Sequence, residues 1–324
     1  MDTRTLTFLA FVVFSLACLV LGYTARRRGW VNESLSRPLH LHTLTWLWSP
    51  IALLSFWGLP LRGDAGGQLV ILLLAQPVLM ILAGLVMVPL SRMIGCTRSQ
   101  QGVMILGAGL SNHGFTLGAY LCYALLEPAD DALRYGIAFV TSMQLFMVLI
   151  FYPVATRFGI GGGTIGQMLH GSFLTIRAVP LYTALAGLLL NLSGLPDPQW
   201  VFDSGLIEVL FFVAAAGSYA GIGLRLRIGD SLGAWKMHGL LAFVQFIFHP
   251  LATVALIAAL AFSGVVLGPL VRDVMLIQAF TPTAINVVIA ANLFHLDARL
   301  GSVLWVINTL AFCVLVLPVL IWWY

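Results

Sequence analysis

Residues 105–121 read ILGAGLSNHGFTLGAYL, an apolar segment that is interrupted near its middle by Ser111, Asn112, His113 and Gly114. In hydrocarbon an unpaired polar group costs several kcal/mol, so such residues face a cavity or a partner. Four glycines between positions 107 and 118 also make a helix easy to unwind here. The stretch therefore predicts a helix that is broken near its centre.

The composition predicts an all-α polytopic membrane protein. Hydrophobic residues make up 60% of the chain and charged residues only 9%, with a mean hydropathy of +1.00. The net charge of +4 would suggest nucleic-acid binding in a soluble chain, but here the basic residues lie in short loops and report topology. The four cysteines show no CxxC spacing, so no disulfide, metal site or cofactor is expected.

A membrane span needs roughly 20 apolar residues, and this criterion predicts ten transmembrane helices. The first has no small-residue cleavage motif after it, so we expect a retained helix and not a signal peptide. A Gly-rich segment after the fifth divides the chain into a first repeat at 1–156, a cytoplasmic linker at 157–173 and a second repeat at 174–324. The predicted spans lie at about 5–24, 41–61, 68–90, 101–126, 133–156, 174–194, 203–224, 237–262, 270–293 and 299–323.

The distribution of Lys and Arg predicts the orientation. Twelve of the 16 basic residues lie in the loops that follow odd-numbered spans, or at the helix ends beside them, and four lie on the opposite side. Because Lys and Arg are enriched in cytoplasmic loops, both termini are expected to be extracytoplasmic. The expected location is the plasma membrane, such as a bacterial inner membrane.

The two halves of the chain resemble each other. VMIL at 103–106 matches VMLI at 274–277, an offset of 171, and Arg134, Gly136 and Pro153 match Arg299, Gly301 and Pro318 at an offset of 165. Since each half has five spans, an odd number, the second half must cross the membrane in the opposite sense. The sequence therefore predicts two inverted five-helix repeats, an architecture typical of secondary transporters.

The repeat predicts a second broken helix in LIQAFTPTAINVVIAANL, residues 276–293. At the offset of 171, Ser111 corresponds to Pro282 and Asn112 to Thr283. Proline removes a backbone donor and disturbs the preceding turn, while half-helix N-termini attract anions. Two opposed breaks, in helices 4 and 9, would form an anion site without a buried Lys or Arg.

These residues resemble the auxin efflux carrier family of permeases, within the larger group that includes the bile acid sodium symporters. The resemblance rests on SNHGFTLGAYL in span 4 and on TPTAINVVIAANLFHLDARLGSVLWVINTLAFCVLVLPV in spans 9 and 10. It implies a scaffold of helices 1, 2, 6 and 7 and a moving core of helices 3–5 and 8–10, with helices 4 and 9 crossing at the substrate site. It also implies transport of organic anions, commonly carboxylates, by alternating access of elevator type.

The resemblance implies that Asn112 and the break at Thr281, Pro282 and Thr283 contact the carboxylate and that Gln144 leans toward the same cavity. Ser111, His113, Gly114 and Asn286 complete the candidate substrate site. For Asn112 the alternative is a hydrogen bond between helices. Candidates for proton coupling are His113, Glu208 and His249. Their alternative roles are packing or gating for His113, interfacial solvation for Glu208, and bonding of carbonyls freed by Pro250 for His249.

Three other functions compete with transport of this kind. A sodium-coupled symporter of the bile acid type is the first, although the expected acidic cluster is not evident. An intramembrane enzyme would use His113, His249 and Glu208, but HExxH and GxSxG motifs are absent; no enzyme activity is expected. The third is a sensor or channel. Candidate partners are a small organic anion, membrane lipid and, as a homodimer, a second copy of the chain, with no nucleic acid.

Overall fold

A computed structural model describes residues 3–59, 61, 64–114, 117–159, 176–196, 198, 200–201, 204–226 and 232–324. The regular structure of these residues is helical, apart from one isolated bridge between two extended segments. The predicted linker at 157–173 lies outside the described residues from position 160 onward.

The helices are numbered here in chain order, with the two parts of an interrupted helix marked a and b. They are α1 (Thr3–Arg27), α2 (36–57), α3 (Asp64–Met93), α4a (Arg98–Gly109), α4b (Gly118–Leu125), α5 (129–158), α6 (Val179–Ser193), α7 (Leu206–Gly223), α8 (235–262), α9a (Pro269–Ala279), α9b (Asn286–Leu293) and α10 (298–323). The second predicted span begins five residues early, at Ser36, and ends at Trp57 instead of residue 61.

Four of these helices contain a widened π-helical turn that the sequence analysis does not predict. The turns are Thr43–Trp48, Met147–Phe151, Val244–Phe248 and Phe312–Val316. Each ends two residues before a proline: Pro50, Pro153, Pro250 and Pro318. A proline ring clashes with the carbonyl four residues earlier in an α-helix, and a wider turn ahead of it relieves that clash.

Among the described residues, four helical stretches are long and apolar enough to cross a membrane: Leu6–Arg27, Gly66–Met93, Trp235–Phe262 and Ala298–Trp323. Shorter apolar helices accompany them at Met147–Phe158, Val179–Ser193 and Val209–Gly223. Large apolar side chains such as Leu189, Leu251 and Leu315 are exposed on these helices. These features are consistent with a multi-pass membrane protein whose outer surface contacts lipid.

Two helix pairs pack with their backbones in close approach. α1 packs along α7, and α2 packs along α6. A Cβ atom on Gly22 of α1 would lie 2.2 Å from the Ala220 carbonyl oxygen, and one on Gly187 of α6 would lie 2.2 Å from the Leu53 carbonyl oxygen. Glycine is required at both positions because the obstructing atoms belong to backbone and cannot move aside.

The largest buried apolar cluster joins helices from both halves of the chain. Met80 of α3, Leu106 of α4a and Phe151 of α5 pack in this cluster with Leu241 of α8 and Leu304 of α10. The cluster surrounds the place where the two interrupted helices meet, so that region is held by apolar packing from several helices.

Candidate substrate site

The two interrupted helices meet at their breaks. The extended segments that follow α4a and α9a run antiparallel, with Ser111 opposite Thr283. The Asn112 N–H donates to the Pro282 carbonyl (2.6 Å), and the Ala284 N–H donates to the Leu110 carbonyl (2.7 Å). Backbone groups that the breaks release are thereby paired without water, as a buried site requires. We call this region the crossing; both interruptions lie at the predicted positions.

Gln245, a fully buried residue of α8, ties the crossing to a third helix. Its Oε1 accepts from the Ser111 hydroxyl (2.8 Å), and its Nε2 donates to the Gly107 carbonyl (2.6 Å) and to the Thr283 hydroxyl (3.3 Å). One amide therefore contacts both breaks. Gln245 is not among the predicted site residues, although its position one turn before His249 in an apolar span is an available signal.

His249 also bonds the first broken helix. Its Nε2 lies 3.1 Å from the carbonyl of Ala108, in the last turn of α4a. The alternative role predicted for His249 is bonding of carbonyls freed by Pro250. The geometry differs because the last carbonyls of α4a lose their helical partners at Gly109, while the π turn Val244–Phe248 lies ahead of Pro250.

The threonines of the second break are occupied by bonds that fix the crossing. The Thr283 N–H donates to Asn308 Oδ1 (2.8 Å), and its hydroxyl donates to the Gly107 carbonyl (3.1 Å). The Thr281 hydroxyl donates to the Gln278 carbonyl (2.8 Å) and lies 3.2 Å from His113 Nδ1. Ser111, Thr281 and Thr283 therefore hold the two breaks together, and Pro282 contributes its carbonyl.

A cavity of about 70 Å³ lies between α2 and the crossing. Leu44, Trp48 and Phe56 line it from α2, and Asn112, Gly114 and Asn286 line it from the two breaks. We call it the central cavity. None of the described residues that line it carries a charge, so its polar character comes from neutral groups. Asn286 begins α9b, so the positive end of that half-helix faces the cavity.

Asn112 contacts more than the cavity. Its backbone N–H bonds Pro282, its carbonyl accepts from the Gly118 N–H at 3.0 Å, and its side chain hydrogen-bonds the Tyr219 hydroxyl of α7. It is only 3% exposed. Both readings of Asn112 thus have a geometric basis, since the same amide bonds a neighbouring helix and lines the central cavity.

His113 points away from the central cavity. Its ring meets Phe139 of α5 edge-on, with ring centroids 5.0 Å apart, and its Nδ1 faces Thr281. The break changes the chain direction after Asn112, which separates these adjacent side chains. His113 therefore contacts α5 and the break that follows α9a, in contrast to Asn112 and Gly114, which line the central cavity.

Two predicted residues fall where the side chains are not described. Gln144 lies in Ala129–Phe146 and Glu208 lies in Leu206–Gly223, but the side chains of both are outside the described part of the chain. The sites predicted for them stay predictions. Of the predicted residues that are described, the central cavity brings together Asn112, Gly114 and Asn286.

No family model matches the chain, and no curated protein matches it.

Proposed function

We propose that this chain is a secondary transporter that moves a small organic anion, a carboxylate, across the plasma membrane by alternating access of elevator type. The observation that carries the proposal is the crossing of two opposed helix breaks beside a cavity lined by Asn112 and Asn286. Discontinuous helices from two halves of a chain are the usual frame of a transporter substrate site. The resemblance to the auxin efflux carrier family has the same implication.

The local geometry supports an inverted repeat. The π turns of α5 and α10 begin at Met147 and Phe312, which are 165 residues apart, the offset that relates these helices in the sequence. The two hydrogen bonds of the crossing are related by an offset of 172 residues. The donors Asn112 and Ala284 are separated by that number, and so are the acceptors Leu110 and Pro282. This exchange is what a two-fold axis through the bridge between Ser111 and Thr283 would produce. The offset differs by one residue from the value of 171 found in the sequence.

Contacts at the two ends of the bundle support ten crossings. At one end Arg26 Nη2 donates to the Leu226 carbonyl (2.7 Å), which joins the loops after α1 and α7. At the other end Asn191 Nδ2 donates to the Trp57 carbonyl (2.6 Å), which joins the ends of α6 and α2. The ends of two odd-numbered helices thus meet at one end of the bundle, and the ends of two even-numbered helices meet at the other. This alternation is what ten consecutive spans produce.

The packing supports a division into scaffold and moving core. α1 with α7 and α2 with α6 form the close-packed pairs, which are the helices of the implied scaffold. The crossing belongs to the implied core, and the central cavity lies between it and α2. A substrate held there would contact both bodies, so sliding of one past the other would change its access to either side.

The site chemistry favours a carboxylate over a cation. An Asn side chain offers two amide donors, and the N-terminus of α9b adds a positive dipole end. None of the described lining residues is acidic, so a cation would find no compensating charge.

Transport by purified protein in proteoliposomes tests the proposal. Vesicles loaded with a panel of unlabelled carboxylates should take up a labelled carboxylate by saturable counter-exchange. Flux that rises linearly with concentration and shows no counter-exchange would contradict the proposal and indicate a channel. A strict requirement for a sodium gradient would instead indicate a symporter of the bile acid type.

A further inference from the structure

Three cavities follow one another along the seam between α2 and α9b. The central cavity touches Leu44 of α2 and Asn286 of α9b. The next cavity, also lined by Leu44, touches His40 one turn earlier on α2 and Asn292 later on α9b. The third, of about 390 Å³, is lined by Glu33, Arg225, Asp297 and Arg299 at the Arg-rich end of the bundle. From the central cavity to the third cavity, the lining residues have lower numbers on the α2 side and higher numbers on the α9b side. The three cavities therefore lie in order along one route.

The middle cavity closes this route. Its volume is about 10 Å³, which is room for about one water molecule. It is therefore too small for a carboxylate, and the central cavity is separated from the outer one. We call the middle cavity the constriction.

A side-chain contact between Arg225 and Asn292 spans the seam at the constriction. Arg225, just past the end of α7, donates from Nη1 to Asn292 Oδ1. Asn292 is held in turn by α9b, since its Nδ2 donates to the Val288 carbonyl (2.9 Å). The guanidinium thus joins a scaffold helix to a core helix beside the narrowest point of the route.

The segment that carries Arg225 is anchored to the scaffold. Arg26 of α1 bonds the Leu226 carbonyl at 2.7 Å, and the Ser36 hydroxyl of α2 bonds the Gly221 carbonyl at 2.7 Å. Arg225 cannot follow α9b if the core moves, because its own segment is tied to α1 and α2. The Arg225–Asn292 contact must therefore break when the two bodies slide apart.

The charges around Arg225 leave it suited to bind an anion. Burial lowers the pKa of Arg225 and Arg37 lowers it further, while Glu33 opposes both effects; the group stays charged at neutral pH. Glu33 lies 3.8 Å from Arg26 in an ion pair. Within the described part of the chain, the buried Nε of Arg225 makes no hydrogen bond. Its bonded acceptor Asn292 is a neutral amide, and a carboxylate is a stronger, bidentate acceptor for the same guanidinium.

We propose that Arg225 captures the incoming anion and acts as a gate: a carboxylate in the outer cavity takes the guanidinium from Asn292, and loss of that contact opens the constriction toward the central cavity. This inference rests on the proposed transport function. It adds a second anion site, on the face that the orientation makes cytoplasmic, and it names Asn292 as the residue that competes with the anion.

The test measures how fast a reporter thiol in the constriction is labelled. In a chain whose four native cysteines are replaced by alanine, Ile289→Cys places a thiol at the constriction. A membrane-impermeant maleimide added from the Arg-rich side should label the parent slowly. Arg225→Gln and Asn292→Leu should each raise the rate about tenfold without any anion, because each removes one partner of the charge-assisted bond. Asn292→Asp should slow labelling, since an ion pair replaces the neutral contact.

The anion arm uses acetate, benzoate and succinate as probes, with benzamide as a neutral control. The carboxylates should raise the labelling rate in the parent and leave Arg225→Gln unchanged. Arg272→Gln, which removes the same charge from an exposed ion pair with Asp273, should behave as the parent. If Arg225→Gln does not fold, Asn292→Leu tests the same contact.

Labelling rates that are equal in the parent, Arg225→Gln and Asn292→Leu would overturn the gate. A parent that none of the three carboxylates affects would overturn the capture step. These failures differ from failure of the proposed function, in which the parent shows no carboxylate counter-exchange even though the Arg225 variants change labelling.

Discussion

Polar residues near the crossing divide into two groups by the partners of their side chains. The Ser111 hydroxyl bonds Gln245, and the hydroxyls of Thr281 and Thr283 donate to backbone carbonyls. The Thr281 hydroxyl also lies against His113. Asn286 and Asn112, whose side chain also bonds the Tyr219 hydroxyl, line the central cavity. A polar side chain in an apolar interior is costly unless satisfied, so the first group stabilises the breaks. In the proposed transporter, the second group would contact the carboxylate.

Asn112→Ala should weaken binding of a carboxylate by about 1–3 kcal/mol, which is the cost of leaving a buried polar partner unsatisfied. Asn112→Asp should weaken it more, because a like charge would face the anion. Titration of purified protein with a labelled carboxylate measures both effects, and Ser263→Ala, in an exposed loop far along the chain, provides a control. If Asn112→Asp binds as tightly as the parent at neutral pH, the ligand is not an anion or Asn112 is not in its site.

Gln245→Leu should act mainly on the stability of the fold. The change leaves the Ser111 and Thr283 hydroxyls and the Gly107 carbonyl without this amide, so we expect a loss of about 1–3 kcal/mol in the free energy of unfolding. Thermal unfolding in detergent measures the loss. Gln101→Leu is the matched control, because that amide makes one bond, to the Cys96 carbonyl, in a half-buried site. Equal melting temperatures for the two variants would contradict the role of Gln245 at the crossing.

At the scale of whole helices, the sequence predicts interruptions better than it predicts their partners. The breaks near Asn112 and Pro282 could be placed because glycine, proline and polar residues cluster in otherwise apolar segments. Gln245 could not, because a single Gln in an apolar span can be satisfied by any neighbouring helix. The π turns could not be predicted either. A π turn precedes Pro50, Pro153, Pro250 and Pro318, but Pro77 and Pro89 lie inside α3 without one. The local sequence does not decide between these outcomes; the packing around each helix does.

Gly187→Ala should disrupt the pairing of α2 with α6. The added Cβ would lie 2.2 Å from the Leu53 carbonyl oxygen and 3.0 Å from Phe56 Cβ, so the helices must separate. Overpacking of this kind costs about 1–3 kcal/mol, which thermal unfolding would detect. Gly239→Ala in α8 is the control, because nothing lies within 4 Å of its added Cβ and alanine favours a helix. A Gly187→Ala protein as stable as the Gly239→Ala protein would argue against the close packing of α2 with α6.

For the molecule as a whole, the end contacts and the charge distribution point to one orientation. The C-terminal end of α10 lies beside the start of α9a, because Leu320 and Ile321 pack in one apolar cluster with Leu270 and Val274. The Arg-rich loop after α1 lies at the other end, where Arg26 bonds Leu226. Because twelve of the 16 Lys and Arg residues fall in the loops predicted to be cytoplasmic or at the helix ends beside them, the rule that basic loops stay in the cytoplasm predicts that Tyr324 is extracytoplasmic.

Reporter fusions test this orientation together with the number of crossings. A reporter fused after Tyr324 should read as extracytoplasmic and one inserted after Gly29 as cytoplasmic, because ten crossings return the chain to its starting side. A reporter inserted after Gly264, in the loop before α9a, should agree with the one at Tyr324. A cytoplasmic signal at Tyr324 together with an extracytoplasmic signal at Gly29 would reverse the orientation and place Arg225 and the outer cavity on the extracytoplasmic face. Disagreement between Gly264 and Tyr324 would be more serious, since α9 and α10 would then cross the membrane an odd number of times and the inverted repeat could not hold.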